Sequence, residues 1–133
     1  MAFIQPCFIK KNNSQLRLAL HNLGYENARN DTVGNCIATT TTTQHYNTIS
    51  QYYVDSNDPR ITWKENRIDC ETNEELFLAL AALRDDSDYM QWFTDGEKWF
   101  QNKQNDVEII RYGAGNPINF HKATVEEIIE HFK

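Results

Sequence analysis

Apolar positions recur with helical spacing in three segments of the chain. In the first segment they keep the i, i+3, i+4, i+7 spacing of a single helix face: Leu16, Ala19, Leu20 and Leu23. Ser14 precedes this stripe and can cap the helix, and Gly24 follows it as a left-handed stop. The pattern predicts a short amphipathic helix within residues 14–25.

Two further segments carry the Ser/Thr-x-x-Glu signal of a capping box ahead of apolar residues. Thr72 and Glu75 open the first of them, and residues 76–83 are apolar nearly all round. We therefore predict a central helix that packs on a sheet and lies close to another element through its alanines. Thr124 and Glu127 open the second, which predicts a last helix with one apolar stripe. That stripe consists of Val125, Ile128, Ile129 and Phe132.

Strand patterns fill the first half of the chain between the helices. Residues 2–10 are rich in β-forming side chains but contain Pro6, so we predict a strand that lies at a sheet edge or is bulged there. Residues 36–43 (CIATTTTT) and 46–54 (YNTISQYYV) are separated by little more than Gln44-His45. This spacing predicts a hairpin.

A second hairpin is the clearest strand signal in the sequence. Residues 88–101 (DYMQWFTDGEKWFQ) place Asp95-Gly96, a preferred tight-turn pair, between two aromatic strands. Short strands are also expected at residues 67–70 and 107–113. Because hairpins outnumber strand-helix-strand crossovers, we predict an α+β fold in which three amphipathic helices pack on one mostly antiparallel sheet of about five to seven strands.

The run of five threonines raises the question of a working surface. In a strand, Thr39, Thr41 and Thr43 share one face, and Thr40 and Thr42 share the other. A lattice-binding array needs ordered threonines on several parallel strands at a repeating period, and the sequence has one run without a repeat. We therefore expect an ordinary polar strand face that points to solvent.

Composition indicates one folded domain over residues 1–133. The hydrophobic fraction is 40% and the aromatic fraction 12%, far from the composition of disordered chains. The cysteines, Cys7, Cys36 and Cys70, have no metal-binding spacing and suit buried thiols in a reducing cytoplasm. The longest apolar run, residues 76–83, is much shorter than the roughly 18 residues of a membrane span, so we expect no membrane segment.

The net charge of −6 is unevenly distributed along the chain. Residues 1–64 carry six basic and four acidic side chains, which gives +2, whereas residues 65–133 carry seven basic and fifteen acidic ones, which gives −8. The only adjacent basic pair is Lys10-Lys11. This distribution argues against nucleic acid as the main partner and favours a basic protein surface.

The sequence contains no recognisable catalytic, metal or cofactor motif. Asp85, Asp86 and Asp88 lack the ligand register of a calcium loop. Gly113 and Gly115 lack the lysine and hydroxyl residue of a phosphate loop. No nucleophile elbow or zinc signature surrounds any histidine or cysteine. We predict a protein that is not an enzyme and that binds no metal and no cofactor.

The candidate binding residues are aromatic. Tyr89, Trp92 and Trp99 lie on the second predicted hairpin, and Arg111 lies on the strand predicted after it. Aromatic side chains are enriched at binding hot spots, but they also form the core of small domains, so both roles stay open. If the hairpin is exposed, these four residues form the expected binding site.

Three segments carry a resemblance to known proteins. Residues 69–100 and 121–133 resemble a group of short uncharacterised proteins of Bacteroides-type gut bacteria and of their phages and mobile elements. Residues 8–25 are similar to the N-terminal unit of that group, whereas the threonine hairpin departs from it. The resemblance implies a phage or mobile-element accessory protein in the cytoplasm of a bacterial host. It supplies no activity and no functional residues.

The leading functional hypothesis is a non-enzymatic protein-binding or regulatory module whose partner is a host or phage protein. One alternative is a protein that sequesters a small nucleotide signal of host defence, with Trp92 or Trp99 stacked on the base and Arg111 near the phosphate. Another is a structural component of a virion, which would assemble as a homo-oligomer through the threonine hairpin.

Overall fold

The computed structural model describes residues 3–27, 34–41, 47–52, 67–85, 89–103 and 120–133. These residues contain three helices, which are α1 (Ser14–Leu23), α2 (Glu74–Ala81) and α3 (Val125–Phe132). Five strands come before α2: β1 (Cys7–Ile9), β2 (Glu26–Asn27), β3 (Cys36–Thr41), β4 (Asn47–Tyr52) and β5 (Ile68–Asp69). Three follow it: β6 (Trp92–Thr94), β7 (Trp99–Gln101) and β8 (His121–Lys122).

The strands form two sheets. The first has five strands in the order β2-β4-β3-β1-β5, with β3 antiparallel to β1 and β4, and with β1–β5 and β2–β4 parallel. The second is antiparallel, in the order β7-β6-β8. The α+β class with three helices is thus confirmed. The prediction of one sheet of about five to seven strands is wrong, because the β6–β7 hairpin pairs with β8 and with no described strand of the first sheet.

Asparagine side chains cap the first two helices. Asn13 accepts a hydrogen bond from the N–H of Leu16 at 2.8 Å, and Asn73 accepts one from Leu76 at 3.0 Å. The predicted Ser14 cap and the predicted box of Thr72 with Glu75 are therefore wrong by one residue, since asparagine caps as well as serine or threonine. Two other helix signals are confirmed: Gly24 ends α1 at φ 120°, and Thr124 and Glu127 form the capping box of α3.

The strand β1 starts directly after Pro6. Because proline is tolerated at the first residue of a strand, the ladder does not need a donor at that position. The Pro6 carbonyl accepts a hydrogen bond from the N–H of Ile68 at 3.2 Å. The prediction of an edge or bulged strand is therefore wrong: β1 lies inside the sheet, between β3 and β5.

The threonine hairpin is confirmed, but its solvent face is not. β3 and β4 pair from Cys36 opposite Tyr52 to Thr41 opposite Asn47. Thr39 is completely buried, and its Oγ1 accepts a hydrogen bond from the N–H of Cys7 at 3.1 Å. The hydroxyl thus replaces a missing ladder partner next to β1.

One cluster of buried side chains joins the first sheet to all three helices. Leu20 of α1, Phe77 and Leu80 of α2, and Ile128 of α3 are fully buried in it, together with Ile9 of β1. As predicted, α2 is the central helix and is buried on most of its surface. No helix among the described residues is long and apolar enough to cross a membrane. The strand predicted at residues 107–113 lies outside the described residues.

Candidate functional site

An apolar groove of about 240 Å³ opens where the three helices meet the second sheet. Small and flexible side chains form most of its wall: Ala19, Leu23, Leu78, Ala79, Ala82 and Met90. Ala79 belongs to α2 and Ala82 is its C-cap, and their small size leaves room that larger residues would fill. The alanines of the central helix were predicted to allow close packing of another element. Ala79 and Ala82 also border the open space of the groove.

Two aromatic rings complete the groove. Trp92 of β6 and Phe132 at the end of α3 are both half-buried, and their ring centroids lie 5.1 Å apart in an edge-to-face arrangement. This is the favoured geometry for an aromatic pair, so each ring holds the other in place. Trp92 therefore presents a fixed apolar surface to the groove.

Met90, which also lines the groove, has a strained backbone conformation. Its φ angle is +62°, in the left-handed region that non-glycine residues avoid, and its side chain lines the groove. The segment is held by the hydrogen bond from the Met90 N–H to the carbonyl of Asn102. Such strain is concentrated at functional sites, which is a second reason to regard the groove as one.

The polar side chains that line the groove are Glu75 and Gln101. Glu75 lies in the first turn of α2 and is exposed. Gln101 is half-buried at the end of β7, and its Nε2 donates a hydrogen bond to the Met90 carbonyl at 3.1 Å. Among the residues that the structure describes, the groove lining contains no lysine, arginine or histidine.

A second cleft of about 270 Å³ is lined by residues of α3 and of the β6–β7 hairpin. Trp99 lines it, and the imidazole of His131 stacks on the Trp99 ring at a centroid distance of 4.0 Å. The carboxylates of Glu127 and Glu130 complete the wall. This cleft is acidic, and its aromatic floor is already covered on one face by His131.

The carboxylate of Glu127 has a structural role at the start of α3. Its carboxylate accepts hydrogen bonds from the Thr124 N–H at 3.0 Å and contacts the Nε2 of His121 at 2.8 Å. The hydrogen bond from the Thr124 backbone lowers the pKa of Glu127, and His121 lowers it further. The pair of His121 with Glu127 therefore stabilises the start of α3.

The four sequence-predicted binding residues are not brought to one place. Trp92 lines the apolar groove and Trp99 the acidic cleft, and both rings contact Phe132, at 5.1 and 6.1 Å. Tyr89 is half-buried just before the hairpin and lines neither of these two cavities. Arg111 lies outside the described residues. The aromatic site of the hairpin stays a prediction, with Trp92 as the member that faces open space.

Chemistry at the cysteines is limited by burial. Cys7, Cys36 and Cys70 are buried thiols that form no disulfide. A side-chain hydrogen bond with Cys7, together with burial, raises the pKa of the Cys70 thiol above its usual range. The protonated thiol is a poor nucleophile. Within the described part of the chain, no group of three His, Cys, Asp or Glu side chains is arranged to hold a metal ion.

Comparison with protein-family models, with curated proteins and with solved structures gives no match to this chain.

Sequence reasoning missed most of the groove. Phe132 was assigned to the apolar stripe of the last helix, and Glu75 to a capping box. The alanines of α2 were the available signal, because small residues on a helix that is apolar all round permit either close packing or a cavity. Whether close packing or a cavity forms depends on residues ten or more positions away in the sequence, namely Trp92 and Phe132.

Proposed function

We propose that the protein is a non-enzymatic binding module that takes a large apolar side chain of a partner protein into the groove beside Trp92. The observation that carries this proposal is the groove itself, with its apolar walls and its half-buried Trp92 and Phe132. Rigid aromatic rings beside a pocket are the usual composition of an interface hot spot.

The volume of the groove favours a side chain over a whole small molecule. Sites for cofactors and drug-sized ligands usually measure about 300–1,000 Å³. An apolar cavity of about 150 Å³ already holds a benzene ring. At about 240 Å³ the groove fits one Leu, Met, Phe or Trp side chain.

The lining of the groove gives no support to the nucleotide alternative. A nucleotide phosphate needs cations or helix N-termini, and the groove offers one carboxylate and one amide. The virion alternative relied on the threonine hairpin as an exposed strand edge, and β3 and β4 lie inside the first sheet, between β1 and β2. A protein partner is therefore the best supported of the three hypotheses.

The resemblance to short proteins of gut bacteria and their mobile elements suggests where this partner would be found. We propose a phage or mobile-element accessory role in the bacterial cytoplasm, directed at a host or phage protein. The three buried thiols, which form no disulfide, agree with a reducing compartment.

The test is a selection of peptides from a randomised display library on the immobilised protein. We expect the selected peptides to share a large apolar residue and to shift the indole N–H signal of Trp92 in NMR titrations. Two neighbouring α1 variants provide a matched pair. Ala19→Phe puts a ring into the groove, whereas Leu18→Phe changes a residue that is 60% exposed and does not line it.

Peptide binding should be lost in the Ala19→Phe protein and retained in the Leu18→Phe protein. Far-UV circular dichroism and thermal unfolding establish that both variants are folded. A selection that yields no peptide overturns the proposal. Peptides that bind Ala19→Phe as tightly as wild type also overturn it, because they must bind elsewhere.

A further inference from the structure

We infer that the groove selects a partner segment in which a basic residue, Arg or Lys, stands next to the apolar anchor. This inference rests on the proposed function and adds the chemistry of the partner. It is carried by the polar groups that the groove presents, since both of them, Glu75 and Gln101, offer hydrogen-bond acceptors.

The two glutamates at the start of α2 differ in whether their carboxylates are already paired with a cation. Glu74 is paired with the ammonium of Lys11 at 2.8 Å. Glu75, the next residue, has no ion-pair partner among the described residues, is exposed, and lines the groove. The fold thus neutralises the carboxylate outside the groove and leaves the one at its rim to attract a cation.

The amide of Gln101 is oriented by the strained segment of the groove. Its Nε2 donates one of its two N–H groups to the Met90 carbonyl at 3.1 Å, which fixes the amide and leaves its oxygen able to accept. A partner donor near the rim would meet this oxygen in addition to the Glu75 carboxylate. Guanidinium and ammonium groups carry several donors and no acceptor, which makes them the complementary side chains.

The net charge of the elements around the groove is negative, like that of Glu75. The described residues 67–85, 89–103 and 120–133, which supply α2, α3 and the second sheet, carry ten acidic and six basic side chains, a net charge of −4. The second cleft is lined by Glu127 and Glu130, whose carboxylates are paired with His121 and Lys133. A basic segment that approaches the groove is therefore attracted, and an acidic one is repelled.

The test uses three synthetic peptides with one frame of Gly and Ser residues around a central Phe. They differ only in whether Arg, Gln or Glu stands on both sides of the Phe. Binding is measured by NMR titration of the full-length protein, at low and at high salt. For the wild type we expect the Arg peptide to bind about two- to fivefold more tightly than the Gln peptide, and the Glu peptide to bind most weakly.

Glu75→Lys should invert this order, and Glu75→Gln should abolish it. The matched control is Glu126→Lys. Glu126 is the second residue of α3, as Glu75 is of α2, it is exposed, and it does not line the groove. This control changes the net charge and the helix start equally, so it should keep the wild-type order of the peptides. The differences should shrink at high salt.

The failures of the two proposals are distinguishable. If the three peptides bind wild type equally and all lose binding in Ala19→Phe, the apolar groove stands and the preference for a cation is overturned. If Glu75→Lys and Glu126→Lys change the order equally, the preference reports net charge alone and is likewise overturned. If none of the peptides binds, the proposed function fails together with the inference.

Discussion

The substitution Thr39→Val tests the least expected contact of the fold. Thr39 is fully buried, and its hydroxyl accepts from the Cys7 N–H at 3.1 Å and lies 3.4 Å from the Cys7 carbonyl oxygen. Valine has nearly the same shape, so the change leaves no cavity and removes only the polar group. The Cys7 N–H then stays buried without this acceptor, which costs about 1–3 kcal/mol of unfolding free energy. For a chain of this length that corresponds to a melting temperature lower by roughly 4–12 °C.

The free energy of unfolding is measured by urea titration with tryptophan fluorescence, and the melting temperature by circular dichroism. Thr72→Val is the control, because Thr72 is exposed and does not cap α2. We expect that change to stay within about 0.5 kcal/mol of wild type. If Thr39→Val is as stable as Thr72→Val, the Thr39 hydroxyl does not support β1 and the reasoning is refuted.

Three further outcomes follow from local contacts. The backbone N–H groups of Lys98 and Glu97 donate hydrogen bonds to the Asp95 carboxylate and lower its pKa below the unfolded value. The resulting stabilisation is present above about pH 4 and is lost as the pH falls through the folded pKa. In urea titrations from pH 6 to pH 2, the Asp95→Asn protein should therefore lose less unfolding free energy than wild type. Burial raises the pKa of Tyr25, so the stability that the protonated Tyr25 confers is present below about pH 10 and is lost as the pH rises further. Tyr25→Phe removes the hydrogen bond to an α2 carbonyl and should cost about 1 kcal/mol of unfolding free energy at pH 7. In the same assay, the unfolding free energy of this variant should decrease less at alkaline pH than that of wild type. His131→Ala should raise the acrylamide quenching constant of a protein whose sole tryptophan is Trp99, and an unchanged constant would contradict the stacking.

Local signals in the sequence were sufficient where the interaction is itself local. The capping box of Thr124 with Glu127 and the stop at Gly24 involve residues a few positions apart, and both are confirmed. The hairpin at Asp95-Gly96 is also confirmed, although four residues, 95–98, connect its strands where a two-residue turn was predicted. At the starts of α1 and α2 the rules for capping left neighbouring residues nearly equivalent, so the predicted cap missed by one position.

Prediction failed where two distant segments decide the outcome. The alternation of threonines is equally compatible with a solvent face and with a face that is covered, and only the pairing of β3 with β1 buries Thr39. The division into two sheets depends on β8, a strand of two residues without a sequence pattern of its own. β2 is equally short, and it lies in a stretch that reads as polar connection.

The charged residues at the candidate site were also not predictable from the sequence. Glu74 and Glu75 are adjacent and identical in type, so no pattern in the sequence separates their roles. Lys11, more than sixty residues earlier, pairs with Glu74, while Glu75 lines a groove whose far wall comes from β6 and α3. The charge of the groove is therefore set jointly by the segment between β1 and α1 and by the start of α2. It follows that Lys11→Ala, which frees Glu74 without touching the groove lining, should strengthen the preference for the Arg peptide, and that Glu75→Gln should cancel the preference even when Lys11 is intact.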